Sequence, residues 1–321
     1  MREGVSDCAE ISGVLRESSV AVFVNLLAGG GRARNYLTRI RKLFDSFQVN
    51  AEFVPTDSAK ELESQVRDAV SQNRQVLVVM GGDGTFQALA NAASGTDVLL
   101  GVLPVGGGND FSAALGLPGD PVRAAEALLN GEARCVDLVR VRASNGQERL
   151  YAGGGGVGLD AEAARYARGA YRHLPGRVRY IASALRALAG YVPLAVNLDF
   201  PGSDLSSVKS RTLLAAVLNT PTYGAGLRLA PDAMIDDGEL DIVLIEDLSF
   251  AGVLTLLPRL LVSGDLRTSR VKRYRAPRVR LSADRPCLFH GDGEILGPTS
   301  VEIEVVPKAV RVLAPRRQAL P

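Results

Sequence analysis

From Val20 onward the chain repeats one pattern four times: a short apolar run, a turn rich in small residues, then a stretch with helical spacing. The apolar runs fall at Val20–Leu26, Val49–Val54, Val76–Met80 and Val98–Leu103. Between them, Leu37, Ile40, Phe44 and Phe47 share one helical face, and Phe86, Leu89, Ala90 and Ala93 share another. Ser58 and Glu61 have capping-box spacing at the start of the second helix. A fourth helix is expected to start at Asp120-Pro121 and stop at Asn130-Gly131. Strict alternation of strand and helix predicts a doubly wound, mostly parallel α/β sheet over residues 20–135.

After Cys135 the pattern changes. Short β-rich runs recur at Val136–Arg142, Arg149–Ala152, Leu194–Phe200, Leu213–Leu218, Leu240–Ile245, Val279–Ser282, Cys287–His290 and Val301–Val306. Helical patterns interrupt them near Asp160–Ala170, Arg177–Tyr191 and Phe250–Ser263. This predicts an antiparallel, sandwich-like second domain over residues 136–308. Residues 1–19 are charged, lack a signal-peptide core, and read as a flexible tail of a cytoplasmic protein.

Composition narrows the function classes. A net charge of +2 gives no global field for nucleic acid. The three cysteines, Cys8, Cys135 and Cys287, have no metal-ligand spacing and suit a reducing compartment. No apolar run reaches membrane-spanning length. Between Ala163 and Leu198 stand six arginines, no acids, and Tyr166, Tyr171, Tyr180 and Tyr191. That suits peripheral contact with an anionic membrane surface, or equally a solvated helix face. The apolar stretch Phe250–Ser263 reads first as core packing. Nothing in the pattern specifies self-association.

The candidate chemistry lies in the glycine-rich turns. Gly81-Gly82-Asp83-Gly84-Thr85 follows the third apolar run, where ligands bind in open α/β sheets. Glycines allow close approach to phosphate, the next helix offers free N–H groups, and Asp83 facing phosphate calls for a bridging Mg²⁺. The competing reading is a tight turn with Asp83 as N-cap. Gly106-Gly107-Gly108-Asn109-Asp110 follows the fourth run, and Gly29-Gly30-Gly31-Arg32 follows the first. Gly153, Gly155 and Gly158 have dinucleotide-loop spacing, but no acid follows between Glu162 and Asp199, so a glycine-lined turn is expected there. No P-loop signature occurs.

The Gly81–Thr85 and Gly106–Phe111 loops resemble the signature loops of diacylglycerol kinase catalytic domains. So do Leu159-Asp160-Ala161-Glu162, Asn219, Ala230-Pro231-Asp232-Ala233, Asp236–Asp241 and Asp292-Gly293-Glu294, in the same order. The resemblance covers roughly Val20 to Pro315. It implies an ATP- and Mg²⁺-dependent kinase acting on a membrane lipid, with the active site in a cleft between domains. It also implies that residues 309–321 return to the first domain. Asn25, Gly29, Thr56, Gly81, Gly82, Asp83, Gly84, Thr85, Gly106, Gly107, Asn109 and Asp110 match nucleotide-binding positions. Thr56 also suits a helix N-cap.

The same resemblance gives Glu294 or Asp292 the role of base, with Asp83 the candidate in sphingosine-kinase-type readings. Alone, Asp292-Gly293 reads as a hairpin turn. A structural Mg²⁺ is implied at Asp237 and the carbonyls of Met234 and Glu239; alone, Asp236 and Gly238 suffice for a turn. The chain departs from the family pattern at Ala28, Ala88, Gly107 and Gly153, each time losing a polar group. Those losses keep open a non-catalytic nucleotide- or lipid-binding role. A soluble-metabolite kinase resembling NAD kinase shares Gly-Gly-Asp-Gly-Thr but not the later acidic motifs.

Overall fold

The structure is a computed structural model. It describes residues 15–316 except 160–161, 164–165, 167–168, 172, 175, 225 and 265–267. Residues 1–14 of the expected tail, the Asp160-Ala161 pair, and Arg165, Arg168 and Arg172 of the basic stretch lie outside the described residues, as do the side chains of Arg177 and Tyr180. The chain forms two compact units. One comprises residues 1–105, 115–136 and 310–321, the other residues 106–114 and 137–309.

The first unit begins with β1 (Val20–Asn25), α1 (Ala33–Ser46), β2 (Ala51–Thr56) and α2 (Ala59–Ser71). It continues with β3 (Val76–Gly81), α3 (Asp83–Ala92), β4 (Leu99–Pro104) and α5 (Pro121–Leu129). α4 (Asp110–Ala114) falls in the second unit. Strands run in the order β2-β1-β3-β4, all parallel. β3 and β4 are buried throughout, as expected of strands covered on both faces. Helix signals act as written in the sequence. Ser58 Oγ accepts from Glu61 N–H at 3.2 Å, and Glu61 reaches back to Asp57 N–H at 2.9 Å. Asp120 caps Val122 and Arg123 at 3.0 Å each, with Pro121 in the first turn.

β5 (Glu132–Ala143) runs out of the first unit, and β15 (Val301–Ala314) runs back into it. At the end of β15, Arg311 and Val312 pair in parallel with Leu99 and Leu100. Gly131 has no side chain because a Cβ there would lie 2.2 Å from the Ala314 carbonyl oxygen.

The second unit holds β6 (Glu148–Tyr151), β7 (Gly154–Gly158), α6 (Gly176–Leu188), β8 (Leu194–Asp199), β9 (Val208–Leu218) and β10 (Leu240–Glu246). After them come α7 (Phe250–Val262), β11 (Val271–Ala276), β12 (Arg278–Ala283), β13 (Leu288–Gly291) and β14 (Glu294–Pro298). Neighbours β14-β13-β7-β9-β8-β12 pair antiparallel, and β10 bridges β9 and β11. One apolar cluster gathers Val139, Tyr151, Val157, Leu198, Val217, Ile242, Leu281, Phe289 and Ile303.

The Gly153–Gly158 segment corrects an expectation. It is not a turn, because β7 occupies it, paired with β9 and β13. Its glycines answer crowding. A Cβ at Gly154 would meet Tyr223 at 2.6 Å, and one at Gly155 would meet the His290 carbonyl at 2.6 Å. A strand can approach its neighbours this closely only without side chains. Helix α7 buries Leu256 and Leu260 as expected, yet Leu254 is 43% and Val262 76% exposed. Its exposed side is therefore partly apolar.

Candidate active site

In the first unit, register brings the candidates into line. Asn25 pairs with Thr56, and Gly81 with Pro104, so three of the strands and β4 end on one edge of the sheet. The strand order reverses between β1 and β3, and such a switch point is where open α/β sheets bind ligands. Asn25 Nδ2 donates to Thr85 Oγ1 at 3.2 Å, tying the end of β1 to the start of α3. A Cβ at Gly81 would fall 2.4 Å from that same Thr85 oxygen, so the turn accepts only glycine.

Gly82 is the N-cap of α3 and Asp83 its first residue, partly exposed. Asp83 is therefore not the cap. Thr56 is buried and donates to the Ser58 carbonyl at 3.1 Å; the N-cap of α2 is Ser58. Gly29, Gly30 and Gly31 adopt φ of 61°, 73° and 87°, and Gly29 packs against Val105, whose oxygen would lie 2.4 Å from a Cβ. Arg32 Nε donates to the Gly29 carbonyl at 2.9 Å. No carboxylate among the described residues pairs with Arg32. Its guanidinium is a candidate cation for phosphate that residue-by-residue matching passed over; its place directly after three glycines was the available signal.

In the second unit, Asn109 takes φ 61° and donates from Nδ2 to the Gly106 carbonyl at 3.1 Å, while its buried Oδ1 has no partner among the described residues. Asp110 is 9% exposed, and its Oδ1 accepts from the Thr222 hydroxyl at 2.6 Å and from Gly226 N–H at 2.9 Å. Asp110 thus fastens its own loop.

Asp292 and Gly293 form the two-residue turn between β13 and β14, both at positive φ. The Asp292 carboxylate accepts from the N–H groups of Ala152, Gly153 and Gly154 at 2.8, 3.0 and 3.2 Å. A Cβ at residue 153 would sit 2.9 Å from Asp292 Oδ1, so the glycine there and this clamp go together. Glu294 opens β14 and is exposed. Asn219, fully buried, holds the carbonyls of Asp137 and Ala152 at 3.1 and 3.0 Å. Burial pushes the neighbouring Tyr151 phenol well above its usual range, with the Asp292 charge adding to it. Tyr151 is therefore a neutral donor, bonded to the Val217 carbonyl at 3.0 Å.

The donor sets differ in how they fit the implied groups. Within the first unit, the glycine turns and Arg32 fit the phosphates of a nucleotide. Asp83 at a helix start fits a Mg²⁺ shared with phosphate oxygens. Asp237 fits a structural Mg²⁺ poorly: its Oδ1 accepts from Glu239 N–H at 3.1 Å and its Oδ2 takes the Arg275 guanidinium. Burial pushes nearby Asp241 up to about 6, with Arg275 pulling against it and Asp237 and Asp232 adding to it.

A parallel sheet with glycine turns on its carboxyl edge, followed by a β-rich antiparallel unit, defines a two-part α/β architecture. The family profile described as the diacylglycerol kinase catalytic domain matches residues 19–141, and the YegS C-terminal NAD kinase beta sandwich-like domain matches residues 155–314. A diacylglycerol kinase of Mycobacterium tuberculosis is 32% identical over 250 residues, covering 77% of this chain and 79% of that protein. One from Bacillus subtilis is 24% identical over 301 residues, covering 93% and 97%. A crystal structure of a diacylglycerol kinase from Bacillus anthracis superposes with a TM-score of 0.71 at 20% identity, covering 92% and 97%. The chain belongs to the diacylglycerol kinase family.

Proposed function

We propose that this kinase transfers the γ-phosphoryl group of ATP, with Mg²⁺, to the hydroxyl of a membrane lipid of the diacylglycerol type. The observation that carries the nucleotide half is the alignment of Asn25, Thr56 and Gly81 on the switch-point edge, with Thr85 pressed onto Gly81. Phosphoryl transfer asks mainly for positioning and charge neutralisation. Backbone N–H groups of the glycine turns hold phosphate oxygens, Arg32 adds a fixed positive charge, and Asp83 holds the Mg²⁺. Bound there, Mg²⁺ neutralises charge on the phosphates.

Glu294 is the proposed base, taking the proton from the lipid hydroxyl. It is preferred to Asp292, whose oxygens already face three backbone N–H groups. Asp292 then fixes the turn that carries Glu294. The acceptor is met at a membrane surface, contacted peripherally through the exposed apolar side of α7; no helix among the described residues is long and apolar enough to cross one.

The test is incubation with γ-labelled ATP and Mg²⁺ in mixed micelles carrying a panel of lipids. Label in the lipid extract is expected. Label in a soluble acceptor would move the protein toward metabolite kinases. Label in neither would favour the non-catalytic reading that Ala28, Ala88 and Gly107 motivate.

A further inference from the structure

Five carboxylates, Asp232, Asp236, Asp237, Glu239 and Asp241, lie within ten residues of sequence around one turn. Gly238, at φ 75°, bends the chain there, and its N–H donates to Asp137 Oδ2 at 2.7 Å. Such a concentration of negative charge needs a cation. The β10–β11 register supplies one from the chain itself. Asp241 stands directly opposite Arg275. From that position the guanidinium reaches the Asp237 carboxylate through Nη2, while its Nε lies 3.8 Å from Asp241 Oδ1.

We propose that Arg275 is the resident cation of this turn, holding the place beside Asp237 that a divalent ion would otherwise fill. A guanidinium is always charged, and its planar fork can serve two carboxylates at once. A Mg²⁺ at Asp237 would have to lie against that fixed positive charge, and like charges at this range repel. The stability of the turn therefore does not depend on Mg²⁺. The inference is independent of the catalytic reading.

The experiment is thermal melting of the full chain without nucleotide, in MgCl₂ and in EDTA. The wild type is expected to melt at the same temperature in both. Arg275→Met should melt lower in EDTA by roughly 5 °C. Mg²⁺ should recover part of that loss, because the largely buried Asp237 carboxylate is then left without its neutralising charge. Arg275→Lys, which keeps the charge and loses the fork, should melt between Arg275→Met and the wild type in EDTA. A Mg²⁺-dependent rise in the wild type that Asp237→Asn abolishes would overturn the proposal. So would an Arg275→Met protein as stable as the wild type in EDTA, or one that Mg²⁺ fails to recover. If Arg275→Met does not fold, the wild type and Asp237→Asn decide the matter alone.

Discussion

Two acids of one short motif carry different duties. Glu294→Gln should melt like the wild type and lose lipid phosphorylation by about 10²-fold or more, since only the proton acceptor is gone. Asp292→Ala strips the partner from three N–H groups, each such loss costing about 1–3 kcal/mol when buried. It should lower the melting temperature, which Glu294→Gln does not do. Equal melting of the two variants would remove the distinction. On the nucleotide side, Asp83→Asn should fold normally, retain ATP binding by calorimetry, and lose turnover by roughly 10²-fold. Normal turnover in that variant would take Asp83 out of the metal's neighbourhood.

Glycine-rich turns were legible in sequence because glycine at a strand end has few other uses. The Asp292 clamp was not legible. It depends on a side chain meeting a backbone 140 positions away, and on the missing side chain at Gly153. Arg275 was hidden for the same reason, being placed by register rather than by spacing.

Among elements, β11 escaped the sequence pattern while β10 did not. Its residues Lys272, Arg273 and Arg275 are charged, and among the described strands it pairs with β10 alone, so it follows the charged-edge rule rather than the apolar-run rule. β12 and β15 are held by a charge pair in the same way. Glu304 lies opposite Arg278 in register and also takes Arg140 at 2.8 Å. The Arg140 hydrogen bond, with that of Arg278, holds the Glu304 carboxyl below the usual carboxylate range, against the cost of its burial. A folded value depressed below the unfolded one stabilises above the unfolded value, and the contribution fades as pH falls through the folded one. Glu304→Gln should therefore melt below the wild type at neutral pH, and the gap should narrow as pH falls past the ordinary carboxylate range and through the depressed folded value. A gap that persists at acid pH would assign the effect to packing. For α7, Leu254→Asp with Val262→Asp should reduce sedimentation with anionic phospholipid vesicles and leave ATP affinity unchanged. Undiminished sedimentation would return that helix face to ordinary solvent exposure.

At the scale of the molecule, the change from alternating βα units to antiparallel strands was legible because parallel and antiparallel sheets leave different hydrophobic periods. The double use of long strands was not: the runs read at Val136–Arg142 and Val301–Val306 are parts of β5 and β15, each of which passes from one unit to the other as a single strand.

The closing residues of β15 carry a consequence for how the protein is made. A ribosome delivers residues 20–104 early, yet the partner of Leu99 and Leu100 is at Arg311 and Val312. Throughout synthesis, β4 keeps an unpaired apolar flank, an invitation to neighbouring nascent chains. The first part of the protein to emerge is among the last to be finished. A chain stopped after Lys308 should thus collect in the insoluble fraction, and a separately supplied peptide spanning residues 309–316 should shift part of it back into solution.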